Sequence, residues 1–365
     1  MRVFGRYFAH RAKSTLARFL IIAVLTLIYL LPQLMKQLVF MSEDIEYVYK
    51  QFGRAMVDRF NSLTVITCIL CTVIPILEFS SFHNRKNADT MLSMPISRPK
   101  LALVHFLNGA WQIAALVTCY ISMYAVFVYQ NGQKCYEITG YALYGDMKMF
   151  IPYYFVAILS ALMVYSFFVL VFNFANNVAD GVVFVLAYTL AGWILGVGVE
   201  QLFRIHRTLV FVDDLIPYVL IVNVDESFFD VLMNEMFMLG EAFKNGWMLE
   251  HMITPALIAA VGILVFLGCL ICLFKFKKAE KIEGISNSPF GYALLIPLYG
   301  MSISAILFSN SFEIQTSAFI IIPMVVGYMI YRRSFKLKII DLIMLAMTVG
   351  MMIVADPISD IIFKL

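Results

Sequence analysis

The chain has 365 residues, of which 62% are hydrophobic and 14% charged, and its formal net charge is +3. Soluble globular domains carry charged side chains at about a quarter of their positions, so a water-soluble fold is excluded and the chain reads as an integral membrane protein. Because its apolar runs are long and continuous rather than alternating, the expected class is all-α. The 32 Phe and 22 Met are read as lipid-facing and helix-packing side chains.

Residues 1–18 place Arg2, Arg6, Arg11, Lys13 and Arg18 around Phe4, Tyr7 and Phe8, which share one helical face. That pattern predicts an amphipathic helix lying in the headgroup layer. Residues 19–34, extendable through Phe40, form the first apolar run, with Lys36 placed to snorkel at its far end. No small-residue cleavage site follows it, so it is read as a transmembrane helix and not as a signal peptide. Over 42–60, Ile45, Val48, Phe52, Met56 and Phe60 recur every three or four residues after Ser42, Glu43 and Asp44, which suit a helix N-terminus. An amphipathic outer helix is expected there. The second span, 63–79, carries Glu78 near its inner end. A carboxylate at the centre of a span costs about 2.5–3.5 kcal/mol and less near the interface, so Glu78 is expected to reach the basic pair Arg85 and Lys86. There it either orients the segment that follows or rests among headgroups.

That segment, 82–100, is a polar, basic stretch between two apolar runs. Ala88, Met91 and Leu92 lie at i, i+3 and i+4, which predicts a short surface helix. Pro95 and Pro99 bar a helix from running straight through, and Pro99 suits the first turn of a new one. The run from Asp89 to Leu101, DTMLSMPISRPKL, resembles the region between the second and third membrane helices of permease subunits of type-two ABC exporters. In that family an acidic residue followed by Ser-Leu-Pro-Val/Ile-Ser/Thr-Arg marks the coupling helix that docks on the ATP-binding subunit. Asp89, Ser93, Pro95, Ile96, Ser97 and Arg98 match the pattern, Met94 stands where Leu is usual, and Pro99 departs from it. Phe276 to Glu280, Gly327-Tyr328 and Arg333-Ser334-Phe335 are similar to the Gram-positive branch. The resemblance implies that Asp89, Leu92, Met94, Pro95 and Arg98 couple to an ATPase subunit, with Glu78 and Arg85 supporting the segment. It also implies a second permease copy, identical or paralogous.

The third span is 101–128, with His105 and Asn108 in its first turns and His105 read as an interfacial hydrogen-bonding residue. A polar loop, 129–149, leads to the fourth span, 150–172, a tight turn at 173–180 and the fifth span, 181–199, whose Gly192 and Gly196 permit close helix contact. Residues 200–251 hold apolar runs too short to cross, which predicts interfacial or re-entrant helices on the outer face. The sixth span is 252–274, and three further apolar runs follow a basic linker, at 292–308, 317–330 and 339–354. About nine transmembrane helices result. They divide into an interfacial helix (1–18), a six-helix permease core (19–274), and a cytosolic linker with three accessory helices (275–365). With the N-terminus in the cytosol, the inner segments 1–18, 82–100, 173–180, 275–291 and 331–338 hold 17 of the 27 Lys and Arg. Cationic side chains concentrate on the cytosolic side of membrane proteins, so 82–100 is assigned to the cytosol and the C-terminus to the outside of the cell membrane.

No GxxxxGK[ST], HExxH or GxSxG occurs, and the five His are scattered. No catalytic residue, cofactor or metal is therefore expected, and the resemblance together with the topology implies a transport subunit and not an enzyme. Cys68/Cys71 and Cys269/Cys272 have CxxC spacing but lie within apolar runs, so they read as packing residues. Anionic lipid accounts for the basic loops without nucleic acid. The expected cargo is hydrophobic or amphipathic: a peptide antibiotic, a lipid or a drug-like molecule. The alternatives are a polytopic membrane enzyme, such as an intramembrane protease or acyltransferase, and a non-transporting scaffold or sensor.

Overall fold

Apolar runs of this length leave the backbone one way to satisfy its own hydrogen bonds within a single segment, and the chain takes it. The structure, a computed structural model, describes residues 2–35, 62–63, 65–139, 150–203, 247–276, 282–284, 286, 288, 290–308, 314–332 and 339–350. Among these, every regular element is helical. Among the described residues five helices are long and apolar enough to cross a membrane: Phe4–Pro32, Val65–His83, Arg98–Asn131, Tyr154–Asn173 and Ala256–Phe276. Shorter apolar helices occupy Val178–Ala191, Tyr292–Ile303, Ile320–Met329 and Ile339–Gly350. The outer helix expected at 42–60, the greater part of 200–251 and the loop 333–338 lie outside the described residues.

In chain order the helices are α1 (Arg2–Met35), α2 (65–79, closing in the 3-10 turn Ser80–His83), α3 (Arg85–Leu92), α4 (Arg98–Thr139) and α5 (Phe150–Asn173). They continue as α6 (Val178–Phe203), α7 (Trp247–Phe276), α8 (Tyr292–Phe308), α9 (Ile314–Arg332) and α10 (Ile339–Gly350). Two boundaries differ from the sequence reading. Residues 1–18 do not form a separate helix, because α1 runs unbroken into the first apolar run. Nothing between them stops it: the Ser14 and Thr15 hydroxyls donate to the Arg11 carbonyl at 2.8 and 3.1 Å, so the polar side chains are satisfied inside the helix. Likewise α4 continues to Thr139, through the first half of the expected polar loop.

The chain divides into two compact units, the first comprising Met1–Leu170 and Val224–Glu280, the second Val171–Asn223 and Lys281–Leu365. In the first, α4 is the hub, packing against both α1 and α7. Its buried side chains, among them Leu101, Val104, Asn108, Gln112, Leu116, Tyr120, Tyr124 and Phe127, recur at three- and four-residue intervals and make one continuous seam. Tyr165 of α5 donates to the Phe106 carbonyl at 3.0 Å. The approach requires glycine at 109, where a Cβ would come 2.2 Å from the Tyr165 hydroxyl oxygen.

In the second unit α6 packs along α8, and α8 along α9. Asn177 caps α6, its Oδ1 accepting the Asp180 N–H at 2.7 Å. The Asp180 carboxylate accepts from Ser286 Oγ at 2.5 Å, Asn177 Nδ2 at 2.8 Å and the Tyr292 hydroxyl at 2.9 Å. The Glu283 N–H donates to the Asn176 carbonyl at 2.9 Å, which ties the segment before α8 to the turn before α6. Tyr299 adds a bond to the Ala187 carbonyl at 2.6 Å. Ile320, Met324, Tyr328 and Leu345 bring α9 and α10 together. The contacts therefore group α6, read from the sequence as the fifth helix of a six-helix core, with α8, α9 and α10.

Ending the chain after Glu283 would strip Asp180 of Ser286 and Tyr292 and α6 of Tyr299. We expect the shortened protein to insert but to be cleaved within 173–203 by protease at least tenfold faster than the full chain. Equal cleavage rates would show that α6 does not need α8.

Candidate functional site

The polar segment after α2 folds as a helix and turn on a buried root. Asn84 is extended at φ −104°, ψ 121°, which breaks the chain from the 3-10 turn, and the Ala88 N–H donates to its carbonyl at 2.8 Å to start α3. Thr90 and Ser93 hydroxyls bond back to the Asn87 and Thr90 carbonyls at 2.7 and 2.9 Å, and Ser93 closes the helix with its N–H on the Asp89 carbonyl at 3.1 Å. The Ile96 N–H reaches the Met94 carbonyl at 2.7 Å, making a three-residue turn around Pro95. Pro99 is the second residue of α4, where its missing N–H is harmless, and the first α4 bond runs from Leu101 N–H to the Ser97 carbonyl at 3.0 Å.

The sequence-selected residues fall on this small surface. Arg85 and Asp89 are exposed on α3, Pro95 is exposed in the turn, and Met94 and Arg98 are half-buried beside it. Leu92 ends α3, and its side chain lies outside the described residues. Met91 and Ile96 are half-exposed, while Lys86, Asn87, Thr90, Ser93, Ser97 and Lys100 are exposed. The patch thus offers a few apolar side chains within a basic, hydroxyl-rich rim. Beneath it Ala88, Phe82 and His83 are buried. Phe82 meets Phe274 edge-on at 5.1 Å and His105 at 4.7 Å, and His83 Nδ1 donates to the Phe79 carbonyl at 3.0 Å.

Glu78, expected to turn toward Arg85 and Lys86, is fully buried and takes its cationic partners from α1. Arg18 is ion-paired with Oε1, and Arg11 lies 3.4 Å from Oε2. Gln112 of α4 donates to Oε1 at 3.2 Å. His105 Nδ1 lies 3.0 Å from the Glu78 carbonyl, which can only accept, so Nδ1 carries a proton. The other ring nitrogen faces the Tyr7 hydroxyl at 3.4 Å. Farther along the α1–α4 seam, Asn108 Nδ2 donates to Thr15 at 3.1 Å, Trp111 donates to Asn108 Oδ1 at 3.0 Å, and Tyr120 bonds Thr26.

Arg11, Arg18, Asn108 and Gln112 escaped the sequence reading as site residues, and His105 was read only as interfacial. A signal was present. Tyr7, Arg11, Thr15 and Arg18 follow a four-four-three spacing, and His105, Asn108 and Gln112 a three-four spacing, so each set lies on one helical face. Two polar stripes in apolar helices are natural partners.

Comparison of the chain with protein-family models, with curated proteins and with solved structures finds no match. Among the described residues no three His, Cys, Asp or Glu gather as metal ligands. Cys71 packs with its thiol 3.3 Å from the Ala161 carbonyl.

A buried ion pair that loses one side leaves an unpaired charge, at a cost of roughly 3–5 kcal/mol. Glu78→Ala is therefore expected to lower the thermal denaturation midpoint in detergent by several degrees, and Arg18→Ala by less, because Arg11 still faces the carboxylate. A midpoint unmoved by Glu78→Ala would mean the charge cluster does not hold the three helices.

Proposed function

We propose that the chain is the permease subunit of an ATP-binding-cassette exporter, carrying a hydrophobic or amphipathic substrate across the cell membrane with ATP hydrolysed by a separate subunit. The observation that carries this reading is the segment 85–98. Its motif resembles the family's coupling helix, its polar rim and its Met91, Met94 and Ile96 are at least partly accessible, and its root is packed into the helices that would move. A firm root with a presented tip is what mechanical transmission requires.

In this reading nine helices cross the membrane, with the N-terminus and 82–100 in the cytosol and the C-terminus outside. The concentration of Lys and Arg on 1–18, 82–100, 275–291 and 331–338 supports the orientation. The bonds joining Asp180 to Ser286 and Asn176 to Glu283 support it too, since both segments are assigned to the cytosolic side. A second permease copy completes the translocation path. Closure of the ATPase subunits on nucleotide pushes the segment, and the helices rock between inward and outward access.

Met94→Asp would bury a carboxylate without a partner against the ATPase subunit, at a cost of a few kcal/mol, and should abolish co-purification of the ATPase. Arg98→Glu should retain the complex but lower substrate-stimulated ATP hydrolysis severalfold. Both variants should insert like wild type, because neither changes an apolar run. The same samples carry a topology check: in intact cells a cysteine at Ser93 should resist a membrane-impermeant thiol reagent. Wild-type coupling in both variants, or labelling at 93, would reject this function.

A further inference from the structure

A helix ends with carbonyls that have no partner of their own, and in a buried setting something must supply donors. At the end of α2 His83 and Ser80 supply local donors to the Phe79 and Leu77 carbonyls, and other helices supply more. Arg18 Nη1 donates to the Leu77 carbonyl at 3.2 Å, Arg11 Nη2 lies 3.5 Å from the Glu78 carbonyl, and His105 Nδ1 donates to that carbonyl at 3.0 Å. The same two guanidinium groups face the Glu78 carboxylate. Cations at a helix C-terminus also complement its dipole. The point where α2 turns into the 3-10 turn and α3 is therefore clasped by α1.

The two arginines are not equivalent. Arg18 uses two nitrogens on two residues, Nη1 on the Leu77 carbonyl and Nη2 on the Glu78 carboxylate, whereas Arg11 reaches Glu78 with Nη2 alone. Arg11 sits at 3.4 and 3.5 Å from its acceptors, outside the usual range for N–H to oxygen bonds. Two cations around one carboxylate also leave a surplus positive charge, so either can let go without leaving Glu78 unpaired. The better bonded one is the pin and the other is the releasable contact.

We propose that α1 is the steering arm of the docking segment: Arg18 pins the end of α2 to α1, and Arg11 is a second, releasable hold on Glu78. Arg11, Arg18 and Glu78 are then positioning residues, and the orientation of 85–98 is set by α1. Phe82 anchors the same segment from another side, its ring meeting Phe274 of α7 and His105 of α4 edge-on. What the segment meets in the cytosol rests on the proposed function; the clasp itself does not.

The test is a pair of spin-label distances in the full chain, with its six native cysteines replaced and the protein in lipid nanodiscs. Labels at Lys13 and Ser93, both exposed, report α1 against the docking segment. Labels at Leu25 and Ser122, also exposed, report α1 against α4 away from the clasp. Arg18→Gln and Glu78→Gln should broaden the 13–93 distribution at least twofold and leave the 25–122 distribution unchanged, while Arg11→Gln should broaden 13–93 by much less. Should Arg18→Gln fail to fold, Arg18→Lys keeps the charge without the paired nitrogens and should broaden 13–93 as well. An unchanged 13–93 width, or equal broadening of both pairs, would overturn the steering role. Neither measurement uses an ATPase, so a clasp that holds in a protein that binds no ATPase would reject the transport function alone.

Discussion

The first unit depends on one buried carboxylate. Glu78 has no exposed surface, and an ionised group in that position is tolerated only with charged and hydrogen-bonding partners around it. Those partners come from two other helices: Arg11 and Arg18 from α1, and Gln112 from α4, with His105 on the adjoining carbonyl. Satisfying one side chain thus sets the mutual position of three helices. It does so where the chain leaves α2 for the segment on which the functional reading rests.

The second unit solves a similar problem with the opposite polarity. Asp180 lies in the first turn of α6, where the helix dipole favours a negative charge, and its three side-chain donors, from Asn177, Ser286 and Tyr292, are formally neutral. Glu78 lies at a helix C-terminus, where the dipole disfavours it, and there the donors include two cations. Each carboxylate gathers segments distant in sequence, α1 and α4 in one case and the linker before α8 in the other. Polar contacts between membrane helices average about 0.6 kcal/mol, so their chief effect is to specify which faces meet.

This arrangement decides how firmly the 82–93 segment is held. A short helix held only by apolar packing would tilt readily, because such contacts are non-directional. The 82–93 segment combines apolar packing of Phe82 and Ala88 with directed bonds at its root. The root of the segment is thereby tied to α1, α2 and α4 together. The long α4, whose 42 residues extend roughly 63 Å at 1.5 Å per residue, runs on from this root over more than the length a membrane crossing needs.

Length and composition determined where the helices are. The run 292–308 coincides with α8, Pro99 falls in the first turn of α4, and the i, i+3, i+4 pattern of Ala88, Met91 and Leu92 lies on α3. These are local properties: an apolar stretch of sufficient length satisfies its own backbone, and a proline acts on its own turn. Partner choice is not local. Arg85 and Lys86 are near Glu78 in sequence, yet Arg11 and Arg18, 67 and 60 residues away, hold it, because α1 packs along α4 and its polar stripe arrives at the same depth. Nor does the run 181–199 state its neighbours; Asp180, Ser286, Tyr292 and Tyr299 place α6 with the last helices. Apolar surface is interchangeable among helices, and at Glu78 and Asp180 it was the convergence of a few polar groups in three dimensions that decided which helices pair.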